Sequence, residues 1–227
     1  MSKEMLIVCR PQPDADATVA RLREKGTQAE ARPLIERCVL AEVRWPDTTD
    51  LVFVTSTFAA GLVVRALSDG ALGGGGKRPR IAALARATAP VFEAAGHRVD
   101  IKAHGGAVGL ANAVYATGFR GRVLYPVSLA APNEPEHHAA LAVLRPVADV
   151  RVLPAYDTRT VANARALIDS APGAATWWFH SPSAVRAFLE YAASPPHAVR
   201  VSGASTLRAW QELKPRTWPD AHLEEAP

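Results

Sequence analysis

The chain has little of what exported, metal-binding or nucleic-acid-binding proteins carry. Cys9 and Cys38 are its two cysteines, and their spacing fits no metal site. A disulfide framework is therefore not expected, and a reducing compartment is implied. No apolar run reaches the roughly 20 residues that a membrane span needs. The opening MSKEMLIVCRP has a short apolar run and then Arg10-Pro11, which reads as a strand and not as an export signal, so a cytoplasmic location is expected. No long Lys/Arg run interleaves with aromatics, so a nucleic-acid role lacks a footprint. Three further signals carry no chemistry. Gly73–Gly76 lacks the Lys-Ser/Thr and the helix of a phosphate-binding loop and reads as a surface linker. HGGAVG at 104–109 opens a helix without the full dinucleotide fingerprint. His137-His138 has no third ligand and reads as solvent-exposed.

What is present is enough apolar residue for real cores and a mild positive charge. The 227 residues are 48% hydrophobic, which allows one large domain or two small ones. A net charge of +4, with a pI near 9.3, favours acidic small ligands.

The informative feature is a repeated strand–turn–helix pattern. DLVFVTSTFAAGLVVRAL places Ser56 at a strand end, and ATWWFHSPSAVRAFLEYA places Ser181 at the same point. Each is followed by a second such unit. RIAALARATAPVFEAAG carries Thr88, and AVRVSGASTLRAWQEL carries Thr206. A helix start after a strand presents free backbone N–H groups to an anion. From Gly121 the pattern restarts: GRVLYPV parallels MLIVCRP, and DVRVLPAYDT parallels QAEARPLIER. Strands alternating with helices predict parallel sheets with ligands beyond the carboxyl ends of the strands. Strands are expected at 5–8, 51–56, 80–84 and 97–101. Asp14 or Asp16 is expected to cap the first helix, which Gly26 ends. Residues 217–227 offer only a short strand-like piece and an acidic tail.

These segments, in this order, resemble uroporphyrinogen-III synthases over nearly the whole chain. The resemblance runs from Arg10-Pro11 through VFVTS, RATA at 86–89, VLPAYDT at 152–158 and HSPSAV at 180–185 to SGAST at 202–206. It implies an α/β fold of two similar parallel-sheet domains, joined by a two-stranded connector, with the ligand in the cleft between them. Residues 1–34 plus 158–227 would form domain one and 37–153 domain two, with connectors around 33–37 and 153–158. It further implies a cytoplasmic, cofactor-independent cyclising lyase acting on hydroxymethylbilane, a linear tetrapyrrole with eight carboxylates. Loss of the ring A hydroxyl leaves an azafulvene, ring D attacks through its substituted α-carbon, and a spiro intermediate rearranges to uroporphyrinogen III. A monomer is expected, with the upstream bilane-forming enzyme as a candidate partner and no nucleic acid, membrane or metal.

The site residues follow from that resemblance. Tyr156, in the connector, is the candidate proton donor to the leaving hydroxyl; packing and ligand binding without proton transfer is its alternative, since a free phenol is a weak acid. Arg10, Thr55, Ser56, Arg86, Thr88, Ser181, Ser183 and Thr206 are the candidate carboxylate contacts. Helix capping is the competing, compatible role of the hydroxyl residues. Three departures stand out. Ala85 replaces a customary glycine that Gly203 keeps, His180 replaces a customary threonine, and the tail lacks a full last helix. They allow a second reading, a diverged paralogue using the bilobed cleft for another acidic small molecule. A bilobed sensor is a third.

Overall fold

The computed structural model describes residues 5–73 and 78–224. Gly74–Gly76 of the linker and the last residues of the acidic tail lie outside them. The chain divides into two units, residues 1–37 with 158–227, and residues 38–157.

The first unit holds a parallel sheet. Its strands are β1 (Leu6–Cys9), β2 (Ala29–Ala31), β9 (Thr176–Phe179), β10 (Ala198–Ser202) and β11 (Ala221–Glu224), in the order β11-β10-β9-β1-β2. Leu6 lies opposite Ala29 on one side and Thr176 on the other. Alternate strand residues point to opposite faces. Ile7, Cys9, Trp177 and Phe179 therefore pack against α6 (Ala164–Asp169), α7 (Pro182–Tyr191) and α8 (Ala204–Leu213). Leu6, Val8 and Trp178 pack on α1 (Asp14–Glu24) through Val19. Arg32 ties the unit's two chain segments together, its guanidinium donating to Ser170 Oγ at 2.7 Å and to the Ser170 carbonyl at 3.2 Å.

The second sheet holds β4 (Leu51–Val54), β5 (Arg80–Leu84), β6 (Ile101–Ala103), β7 (Arg122–Ser128) and β8 (Asp149–Thr160), with β3 (Ile35–Val39) at the edge, in the order β3-β8-β7-β4-β5-β6; all of it lies in the second unit except the start of β3 and the end of β8. β4 through β8 pair in parallel. Val52, Val54, Ile81 and Ala83 face α2 (Thr57–Ser68) and α3 (Ala89–Ala94). Leu51, Phe53, Val123 and Tyr125 face α4 (Gly106–Ala116) and α5 (Pro135–Leu144). The winding reverses at β4, because β5 lies on one side of it and β7 on the other. In the first unit it reverses at β1, between β2 and β9. Ligand crevices in open parallel sheets form at such reversals, beyond the carboxyl ends of the strands.

Two local expectations are corrected. HRVDI is not a strand over 97–101, since the strand runs Ile101–Ala103. His97 N–H still closes α3 onto the Phe92 carbonyl, and the Asp100 carboxylate accepts from Ile81 N–H at 2.9 Å, so pairing starts only after Asp100. Neither Asp14 nor Asp16 caps α1: the cap position is Pro13, and both acids lie inside the first turn. The short strand-like piece expected after α8 is β11, which extends the first sheet beside β10.

Candidate active site

At the reversal point of the second unit, four hydroxyls gather at the end of β4. Ser56 has extended backbone, φ −116° and ψ 134°, and caps α2, its Oγ accepting from Ala59 N–H at 3.4 Å. The same Oγ accepts from the Tyr156 phenol at 3.0 Å. Thr55 Oγ1 shares a proton with Tyr125 Oη at 3.3 Å. Tyr156 is 7% exposed, and the Phe58 ring meets it edge-on at 5.0 Å, so its ring position is fixed. Its backbone is fixed as well, because Leu129 N–H donates to the Tyr156 carbonyl at 2.7 Å beside a bulge in the β7–β8 pairing.

Tyr125 was not singled out in the sequence, where it reads as one more apolar strand residue. It is 3% exposed, edge-on to Phe53 at 4.8 Å and stacked on His137 at 5.2 Å. Burial pushes its phenol pKa up, the Thr55 hydrogen bond opposes that, and Tyr156 and Glu136 reinforce it. His137 also departs from expectation. It is 5% exposed, not solvated, because its helix packs that face on β7; His138 is the exposed member of the pair. Burial, with His138 and Arg145 nearby, holds His137 below the ordinary imidazole pKa.

Thr88 is fully buried. Its hydroxyl donates to the Val54 carbonyl at 3.0 Å and accepts from Leu84 N–H at 2.7 Å, so it links the ends of β4 and β5 and caps nothing. Arg86 is exposed in the turn before it. Ala85 sits in that turn without positive φ, its N–H bonded to the Ala103 carbonyl at 2.8 Å, whereas Gly203 adopts φ 85°. The two half-molecules therefore turn differently at matched points, and the alanine is unstrained.

In the first unit the reversal point brings Arg10, His180 and Ser181 to the ends of β1 and β9. Ser181 caps α7 as Ser56 caps α2, its Oγ accepting from Ala184 N–H at 3.3 Å. Ser183 is half-buried in the first turn of that helix. Arg10 donates to Thr18 Oγ1 at 3.2 Å and shares the Asp14 carboxylate with Arg37, at 3.6 and 3.3 Å. Burial lowers the Arg10 pKa; Asp14 opposes this, while Arg37 and Arg21 add to it. Two guanidiniums thus share one carboxylate, and Arg21 acts on Arg10 as well. His180 lies against Trp178, ring centres 4.3 Å apart, with its Nε2 buried and without a protein partner. Burial first, then Arg10 and Arg21, push it down to about 3, so it is a neutral ring at working pH. Thr206 in α8 is 1% exposed, and its Oγ1 has no protein partner.

The profile of the family described as Uroporphyrinogen-III synthase HemD matches residues 16–214. The chain belongs to the uroporphyrinogen-III synthase family. As a member it is a cyclising lyase of tetrapyrrole biosynthesis, and nothing favours the diverged-paralogue alternative. Two solved structures share its fold. The uroporphyrinogen-III synthetase of Helicobacter pylori aligns with a TM-score of 0.57 at 15% identity, over 97% of this chain and 92% of that one. A mutant uroporphyrinogen III synthase of Thermus thermophilus aligns with a TM-score of 0.55 at 15% identity, again over 97% and 92%. No curated protein matches the chain significantly. The α/β class with parallel sheets agrees with that fold. No helix among the described residues is long and apolar enough to cross a membrane.

Proposed function

We propose that this chain closes hydroxymethylbilane to uroporphyrinogen III with Ser56 as the group that hands a proton to the departing ring A hydroxyl and Tyr156 as its supplier. The observation that carries this reading is the double acceptance at Ser56 Oγ. A hydroxyl can accept two hydrogen bonds and donate one. Tyr156 O–H and Ala59 N–H fill both acceptor positions, so the serine's own proton is directed to a third partner. In the family's reaction that partner is the hydroxyl leaving ring A. As the serine gives up its proton, the Tyr156 proton follows along the 3.0 Å bond, and the charge that develops is spread over two oxygens. A weak acid is sufficient, because the pyrrole nitrogen drives the expulsion and the azafulvene needs only a protonated leaving group.

The harder task is geometric. An unrestrained azafulvene closes to the type I isomer, so the protein must hold ring D with its substituted α-carbon facing ring A. Restricting reactants to one conformer contributes several kcal/mol, of order 10 at most. We assign carboxylate anchoring to Thr55 and the first turn of α2 in the second unit. In the first unit we assign it to Arg10, Ser181, Ser183 and Thr206. The sharing of one Asp14 carboxylate by Arg10 and Arg37 supports the Arg10 assignment, and the buried, unpartnered hydroxyl supports that of Thr206. Thr88 supports the loop without touching substrate, and Arg86 contributes long-range attraction from an exposed position. A cytoplasmic monomer is the setting we infer.

The test is a coupled assay in which a bilane-forming enzyme supplies substrate and the product isomers are separated. Type III product is expected. Type I alone would remove the reading.

A further inference from the structure

A cavity of about 540 Å³ opens at the edge of the second sheet opposite the hydroxyl cluster. Its described lining lies at the amino ends of β4, β5 and β7. Four arginines converge there, Arg78 just before β5, Arg80 at its first residue, Arg120 just before β7 and Arg122 at its first residue, facing Asp47 and Asp50. The volume lies within the usual range of small-molecule pockets, roughly 300–1,000 Å³.

The charges are not balanced. Asp50 is paired with Arg122: its carboxylate accepts from the Arg122 backbone N–H at 2.9 Å, from Nε at 3.0 Å and from Nη2 at 3.2 Å. Gly121 permits that close approach, since a Cβ there would come within 3.0 Å of Asp50 Oδ2. Asp149, whose charge also reaches Arg122, shares the adjoining wall with Arg151. The other three guanidiniums are held by neutral groups. Arg120 donates to the Phe119 carbonyl at 2.9 Å, Arg78 to the Arg98 carbonyl, and Arg80 lies over the Phe119 ring at 5.9 Å. These contacts fix the side chains without neutralising them. Among the described residues none of the three has a carboxylate partner, and Asp47 is the remaining acid on the wall. Four arginines against two aspartates leave a surplus of two positive charges. The carbonyl end of α4, which reaches this wall at Thr117 and Gly118, offsets only about half a charge.

We infer that this pocket is a second anion site, for a small ligand carrying two or more phosphate or carboxylate groups. Planar guanidiniums bind both chemistries through paired N–H donors. The site is independent of the strand-end hydroxyls, which lie at the opposite ends of the same strands.

Calorimetric titration of the full chain with pyrophosphate and, separately, citrate, at constant ionic strength, tests it. Saturable one-to-one binding is expected, weakened about tenfold or more in an Arg78→Gln/Arg120→Gln double variant. Both side chains are exposed, so the fold should persist, and Arg120→Gln alone provides a milder second probe with a smaller loss. Binding of pyrophosphate only would identify a phosphoryl site, and binding of citrate only a carboxyl site. Ser56→Ala and Ser181→Ala should leave the affinity unchanged. No heat up to about 10 mM ligand, or equal affinity in wild type and double variant, overturns the proposal. Type III synthesis in the coupled assay reports on the other edge, so the two readings fail separately.

Discussion

Tyr156 and Ser56, one hundred residues apart in sequence, meet through a 3.0 Å hydrogen bond in which the phenol is the donor. The direction matters more than the distance. It leaves the serine's own proton available to a third partner, which is the basis of the proposed relay.

Tyr156→Phe should therefore slow type III formation about 10- to 100-fold while shifting the melting temperature by only a few degrees. Ser56→Ala should slow it at least as much, and the double variant should be little worse than Ser56→Ala alone, because one relay has been broken twice. Initial rates with enzymatically supplied bilane measure this. Fully additive losses would show that the two residues act separately.

Thr88→Val should act on stability. It strands the Val54 carbonyl and the Leu84 N–H, both in the sheet, at a cost of about 1–3 kcal/mol. A urea titration should show a lower midpoint with an unchanged slope, and the folded variant should retain wild-type turnover. A loss of turnover with unchanged stability would instead place Thr88 on the substrate.

Thr206→Val exchanges a buried, unpartnered hydroxyl for a methyl of the same shape. Stability should hold or rise, since no hydrogen bond to protein is lost. If the hydroxyl meets a substrate carboxylate, KM rises with kcat nearly constant. Steady-state kinetics beside a thermal melt separates the two effects, and an unchanged KM would remove Thr206 from the binding set.

His180 makes stability depend on pH. Its folded pKa, down to about 3, lies below the unfolded value of about 6.5. Between those values the unfolded chain binds the proton and the folded chain does not. The contribution is therefore complete above about pH 6.5 and is lost as pH falls. Lowering the pH from 7.5 to 5.5 should cost the wild type about 1 kcal/mol more than it costs His180→Asn. His137 shifts in the same direction and is common to both proteins, so the difference isolates His180. Parallel denaturation curves at both pH values would rule the effect out.

Local sequence patterns were enough to read the class of the fold and the positions of its turns. Buried parallel strands must be continuous apolar runs, and LVFV and TWWF are such runs, each closed by a serine that can cap the following helix. Trp177 and Trp178 face opposite cores, as the alternation of a strand requires. Those signals are local, with a period or a spacing of a few residues. Tertiary structure decided which hydroxyls are spoken for. Thr88 looks like Ser56 in sequence, yet one is sealed between two strand ends and the other is open at a winding reversal. Tyr125 and His137 look like a packing residue and a surface residue until β7 and α5 press them together. Strand order, which sets where the winding reverses, and the partners of a buried polar group depend on residues distant in the chain, so neither was written in any single segment.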